Sequence, residues 1–123
     1  EESGLPATNA LDNDPSTYWH TQYSGSKPIH PHQLSIDMHQ SYTIKGLTFT
    51  DRQGVWPGIK NLTVYTKTAT GSWTQAGTYT LKKTDLTQFI TFQQPIQASS
   101  FRIVTTDSYD NGASCSLAEI GAY

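Results

Sequence analysis

Apolar residues in this chain recur at every second position and almost nowhere at every third or fourth. From Gln33 to Met38, Leu34, Ile36 and Met38 alternate with Ser35 and Asp37. The alternation runs on from Tyr42 through Ile44 to Leu47 and Phe49, with its phase slipping by one at Gly46. A glycine at a phase slip predicts a bulge or tight bend, because it tolerates a close backbone approach that a side chain would block. Further stretches of the same kind cover Ile59–Lys67, Trp73–Leu81, Phe89–Phe92, Phe101–Thr105 and Leu117–Tyr123. A period of two places alternate side chains on opposite faces of a strand, so each stretch offers one apolar face to a core. About eight such strands separated by turn signals predict an antiparallel β-sandwich or barrel. Only Leu81–Leu86 has room for a turn of helix.

The chain has 123 residues, the size of one compact domain, and 1–123 is read as a single module. Aromatics make up 11% and charged residues only 15%, with Thr, Ser, Gln and Gly abundant, as in extracellular β proteins. Net charge is −2 and no Lys/Arg run occurs, which removes the electrostatic footprint of a nucleic-acid binder. No apolar run approaches the ~20 residues of a membrane span. The single Cys115 excludes an internal disulfide. The chain begins Glu-Glu-Ser without Met or signal peptide and reads as an excised part of a larger exported protein.

Three irregular stretches, Asn9–His32, Asp51–Gly58 and Thr106–Ser116, are where function is expected, since sandwiches carry binding groups on loops over a rigid scaffold. The first holds Asp12-Asn13-Asp14-Pro15-Ser16-Thr17, all turn formers rich in oxygen. A solvated turn explains such a run, and so does a hard cation such as calcium, which takes about six to eight oxygen ligands. The spacing is not that of an EF-hand, because Pro15 follows Asp14 and the loop's Gly and distal Glu are missing. If a cation binds, its other ligands come from elsewhere in the chain. Trp19-His20-Thr21-Gln22-Tyr23 then pairs a candidate buried anchor with groups available to a ligand.

These loops carry a resemblance. Ala10 to Tyr23, Pro31 to Asp37, Arg52-Gln53, Ile59 to Tyr65 and Leu117-Ala118-Glu119-Ile120 follow, in order and with sensible spacing, the pattern of the discoidin or coagulation factor V/VIII C-type domains. Among them the chain is most similar to the family 32 carbohydrate-binding modules of secreted bacterial enzymes. The resemblance implies a discoidin-like antiparallel β-sandwich. It also implies a structural calcium site: carboxylates from Asp12 and Glu119, an oxygen of Thr17, and carbonyls of Asn9, Asp14 and Ala118. For the ligand it implies a terminal galactose or N-acetylgalactosamine residue. His20 and Arg52 would bond its hydroxyls, Tyr23 would stack on its C–H face, and Tyr109 falls where the family often places a second aromatic; Trp56, which the pattern does not supply, either offers a stacking face at the rim or locks the loop with Pro57. The chain departs from the pattern after Arg52: relatives that bind galactose usually carry an Asn or Glu there, and this chain has Gln53-Gly54-Val55-Trp56.

Catalysis is not expected. There is no nucleophile motif, and the carboxylate pairs Asp12/Asp14 and Asp107/Asp110 read as a cation loop and a turn. His30-Pro31-His32 lacks the third ligand of a zinc site. Asn61-Leu62-Thr63 matches a glycosylation sequon but lies inside a predicted strand. The competing readings are an adhesion module binding lipid or protein through the same loops, and a spacer without a ligand.

Overall fold

The computed structural model describes residues 1–54, 57–110 and 112–123. A short 3-10 turn at Ala7–Leu11 is followed by β1 (Trp19–His20), β2 (His32–Thr50), β3 (Asn61–Lys67), β4 (Thr74–Thr80), β5 (Gln88–Thr105), β6 (Ser116–Leu117) and β7 (Glu119–Ala122). One sheet runs β4-β3-β5-β2-β7 and a small second one pairs β1 with β6; every strand pairing is antiparallel. The antiparallel all-β sandwich expected from the alternation is the fold observed, in keeping with the discoidin-like fold that the resemblance implies.

The described strands number seven where about eight are expected: four predicted strands join as two, Leu117–Tyr123 divides into β6 and β7, and Trp19–His20 adds β1. Gln33–Met38 and Tyr42–Phe49 are halves of β2, and Phe89–Phe92 and Phe101–Thr105 are halves of β5. The pairing of these two strands breaks register between Asp37 and Tyr42 and again between Ile44 and Gly46. Pro95 reads as a strand breaker in the sequence, yet it sits inside β5. Ile44 pairs Ile96 and Gly46 pairs Thr91, so Pro95 falls in the bulge, where a missing N–H costs no ladder bond. Gly46 is the residue that permits the second shift. A Cβ there would lie 1.9 Å from the Ile90 carbonyl oxygen.

The alternating residues form the core as expected. Leu34, Ile36, Ile44, Leu47, Phe49, Leu62, Val64, Ile90, Phe92, Phe101, Ile103 and Ile120 are buried. Each large side chain removed from water contributes about 1.5–3 kcal/mol. Trp19 joins this core, as does Cys115, whose thiol burial pushes up to about 12.

Candidate functional site

β1 and β6 are only two residues each, and their pairing gathers the loops. Trp19 faces Leu117 and His20 faces Ser116. The Ser116 backbone N–H and hydroxyl both donate to the Pro57 carbonyl, at 3.0 and 2.7 Å. The Thr21 N–H donates to the Cys115 carbonyl at 3.0 Å, and the Cys115 N–H returns a bond to the Thr21 hydroxyl at 3.1 Å. Tyr109 N–H donates to the Gly58 carbonyl at 3.0 Å. All three irregular stretches therefore meet at one end of the sandwich, pinned by buried Ser116.

His20 is 4% exposed, held between this pairing and the neighbouring rings. Its Nδ1 lies 2.6 Å from the Thr21 carbonyl. A carbonyl only accepts, so Nδ1 carries the proton and Nε2 is left as a bare acceptor. Burial lowers its pKa, and the charge of Arg52 adds to this, so the neutral ring is the working form. Tyr23 is 49% exposed and meets His20 edge to face, with centroids 4.7 Å apart. The Arg52 guanidinium lies 4.0 Å from the centroid of the Tyr18 ring, and that ring is 6.4 Å from His20. Cation–π stacking of this kind fixes a guanidinium without consuming its N–H donors. Asp107 is occupied instead with Asn61, through its N–H at 2.8 Å and its side-chain amide at 3.0 Å.

His20, Tyr23 and Arg52 are thus assembled as one group: an acceptor nitrogen, a donor fork and an exposed ring. Tyr109 stands apart in its described contacts. Its hydroxyl donates to the Leu81 carbonyl and its ring lies 5.7 Å from Lys60 Nζ. Trp56 lies outside the described residues. Two site residues escaped the sequence reading. Tyr18 is the platform for Arg52. Glu2 is 5% exposed, and its carboxylate accepts the Tyr23 N–H at 2.9 Å and the Ser24 N–H at 3.1 Å. Those bonds, the Tyr23 amide foremost, hold the Glu2 carboxyl below its ordinary range.

The arm carrying Arg52 has an unusual neighbour. Asp51 is 1% exposed, and neither carboxylate oxygen has a hydrogen-bond partner. Burial first, and then the charge of Asp85, push its pKa up to about 7. Gln53 ties the turn by donating to the Asp51 and Asp85 carbonyls at 2.9 and 3.0 Å.

The oxygen-rich loop closes on itself and on the last strand. Thr17 Oγ1 lies 3.0 Å from the Asp14 carbonyl, 3.4 Å from the Asn9 carbonyl and in short contact with Asp12 Oδ2. One hydroxyl proton cannot serve three acceptors. The Asp14 N–H donates to Asp12 Oδ1 at 2.9 Å and to Glu119 Oε1 at 3.0 Å. Desolvation and the facing Asp12 carboxyl raise the Glu119 pKa, whereas the Thr17 hydroxyl foremost lowers that of Asp12. Ala118, buried just before Glu119, donates its N–H to the Thr50 carbonyl at 2.9 Å. Two carboxylates, a hydroxyl and backbone carbonyls crowded in this way are the donor set of a hard cation. His30 and His32 meet edge to face, with centroids 4.7 Å apart, and bond to the Thr105 hydroxyl and the Ala113 carbonyl.

Fold and site together define a β-sandwich binding domain with its polar and aromatic groups on the loops at one end. The F5/8 type C domain model matches residues 1–120, and the chain belongs to that family. Its structure is similar to the family 32 carbohydrate-binding module of Clostridium perfringens NanJ, solved with galactose. The TM-score is 0.88 and identity 27%, over 99% of this chain and 87% of that one. A family 32 module from a C. perfringens family 31 glycoside hydrolase gives a TM-score of 0.89 at 23% identity, over 100% of this chain and 85% of that one. In sequence, 48 residues are 46% identical to a sialidase of Micromonospora viridifaciens, covering 38% of this chain and 7% of the sialidase. A further 35% identity over 54 residues links the chain to an A type blood N-acetyl-α-D-galactosamine deacetylase of Flavonifractor plautii, covering 44% of this chain and 7% of that enzyme. The chain thus matches only a small part of these curated relatives. Modules of this family bind and do not catalyse; the catalysis of such relatives belongs to whole enzymes.

Proposed function

We propose that this domain binds a terminal galactose-type residue, galactose or N-acetylgalactosamine, and so holds a parent glycan-active protein on its substrate surface. The observation that carries this is the pairing of a neutral His20, whose Nε2 can only accept, with an Arg52 whose N–H groups can only donate. One sugar hydroxyl is both donor and acceptor, and this pair satisfies both roles. Exposed Tyr23 beside them offers a ring to the apolar face of a pyranose. The galactose in the NanJ module and the N-acetylgalactosamine named for the deacetylase support the same reading. Kinship with modules of carbohydrate-active enzymes supports export from a bacterial cell. Among the described residues, no helix is long and apolar enough to cross a membrane.

A structural calcium ion completes the proposal. Asp12, Thr17 and Glu119 would hold it through side-chain oxygens, and Asn9, Asp14 and Ala118 through backbone carbonyls. It would tie the first loop to β7 and take no part in recognition.

Affinity for a monosaccharide is expected at about 0.1–1 mM, because little area is buried and most hydroxyls stay solvated. Parent proteins would gain avidity by engaging several sites together. Calorimetric titration of the calcium-loaded domain with galactose, N-acetylgalactosamine, lactose and galacturonate tests the reading. Saturable binding that disappears in a His20→Ala/Arg52→Ala variant supports it. Flat traces for all four sugars with a folded protein would overturn it.

A further inference from the structure

A second group of charges lies away from the loops, on the outer face of the sheet. Register places Ser35, Arg102, Tyr65 and Gln75 in one row across β2, β5, β3 and β4. Lys67 stands two residues along β3 from Tyr65, on the same face, and Trp73 immediately precedes β4. The Arg102 guanidinium carbon lies 4.1 Å from the Trp73 ring centroid, and Lys67 Nζ lies 5.4 Å from the same centroid. Arg102 Nε donates to the Ser35 hydroxyl at 2.7 Å. One indole therefore holds two cations, and Arg102 is fixed at both its ring-facing plane and its Nε.

Among the described residues, neither cation has an ion-pair partner. Acidic residues outnumber basic ones in this chain, ten to eight. Yet among the described residues the one ion pair is His39 with Asp37, at 3.7 Å. Asp37 is the acid on this face, in register with Ser100, which in turn faces Lys67. Its carboxylate also takes the His39 N–H at 2.8 Å. The terminal N–H groups of Arg102 have no partner among the described residues. Two like charges on one ring repel each other, and an anion between them relieves that repulsion. A guanidinium already oriented by stacking and by Ser35 gives up little entropy when it binds an anionic group through two parallel bonds.

We propose that Arg102, Lys67 and Trp73 form a second, anion-selective site that takes the carboxylate or sulfate group of an acidic polysaccharide. The surrounding Gln33, Ser35, Tyr65 and Gln75 are amides and hydroxyls suited to the hydroxyls of an extended sugar chain. Sugar binding at the loops is not required for it.

Titration of the isotopically labelled domain with tri-galacturonate and with a chondroitin 4-sulfate tetrasaccharide, followed by amide and side-chain N–H NMR, tests this site. Maltotriose is the uncharged control and phosphatidylserine vesicles are the lipid arm. The expected result is saturable shifts of the Trp73 indole N–H and the Arg102 Nε–H at physiological salt with at least one acidic saccharide. Which saccharide acts distinguishes carboxylate from sulfate. Affinity should fall by about fivefold or more in Arg102→Gln, Lys67→Gln and also Arg102→Lys, which keeps the charge but loses the fork. In His20→Ala the shifts at Trp73 and Arg102 should saturate at the same saccharide concentration as in the parent, whatever becomes of the loop signals. Four results would each overturn the proposal: no saturable binding, shifts confined to the loops, unchanged affinity in Arg102→Lys, or equal binding to the vesicles.

Discussion

The guanidinium of Arg52 lies 4.0 Å from the centroid of the Tyr18 ring, so the donor fork of the loop site stands on an aromatic platform from the adjacent loop. A stack of this kind contributes about 0.5–2 kcal/mol, according to how far it is desolvated. Arg52 is only half-buried, which places the pair in the lower part of that range. Tyr18→Ala should therefore weaken galactose binding by about 3–10-fold, whereas Tyr18→Phe, which keeps the ring, should stay within about twofold. Calorimetric titration reads the affinity, and a thermal melt of each variant separates a misplaced Arg52 from a loosened loop.

His20 gives the loop site a pH dependence of definite sign. Burial lowers its pKa below the ordinary 6.5, and Nδ1 already carries the proton. Acidification adds a second proton at Nε2 and turns the sugar's acceptor into a donor. Affinity for galactose should therefore be level at neutral pH and above and fall as the medium becomes acidic. Stability moves the same way. The unfolded chain binds the proton more readily than the folded one, so the contribution of His20 is present above its unfolded pKa and is lost as pH falls. His20→Gln retains an acceptor oxygen and should bind weakly with the acid limb removed. An affinity that rises on acidification would contradict the neutral-acceptor role.

The scaffold was the most legible part of the chain. Leu34, Ile36, Leu62 and Val64 alternate so regularly that only a half-buried sheet accounts for them, and Gly46 marked its own bulge. Pro95 misled, because a residue without an N–H is excluded from a ladder but not from a bulge inside one. In the site, Trp19, His20 and Tyr23 announced themselves by crowding unlike groups into a turn-rich loop. Tyr18 did not, because an aromatic residue in an irregular loop has no period to say which neighbour it meets. Glu2 was hidden by distance, since its partners Tyr23 and Ser24 are 21 and 22 residues away. Asp51 beside Arg52 invited an ion pair. Its carboxylate turns inward instead, beside the charge of Asp85, an outcome that depends on tertiary packing and not on local sequence.

Asp51 makes the opposite pH prediction to His20. Its carboxyl is pushed from an ordinary 3.8 up to about 7, so between those values the folded chain holds a proton that the unfolded chain has lost. With more protons bound in the native state, stability falls as pH rises through this window. The contribution is complete below pH ~4 and gone above pH ~7, and its size is on the order of 4 kcal/mol. Asp51→Asn mimics the protonated form. It should raise the melting temperature at pH 8 by several degrees and leave it nearly unchanged at pH 4. Equal effects at both pH values would show that the carboxylate is paired or solvated in the native state.

Glu119 is the one carboxylate brought to the first loop from the far end of the chain, and it links Asp14 to β7 across 105 residues. A cation shared by Asp12 and Glu119 would stabilise only the folded state, because the unfolded chain scatters its ligands. Binding of this kind stabilises by about 2.7 kcal/mol at a hundredfold excess over the dissociation constant. For a domain of this size that is a rise of about 5–15 °C in melting temperature on adding calcium, reversed by a chelator. Magnesium should give much less, because it demands tighter octahedral geometry and gives up its water reluctantly. Glu119→Gln and Asp12→Asn should each abolish the calcium shift. Glu119→Gln should cost little in calcium-free buffer, because the raised pKa of Glu119 makes its neutral form easy to accommodate. If the wild-type melt is indifferent to calcium and chelator, the cluster is a hydrogen-bonded loop closure in which Thr17 and Glu119 do the work assigned to the ion.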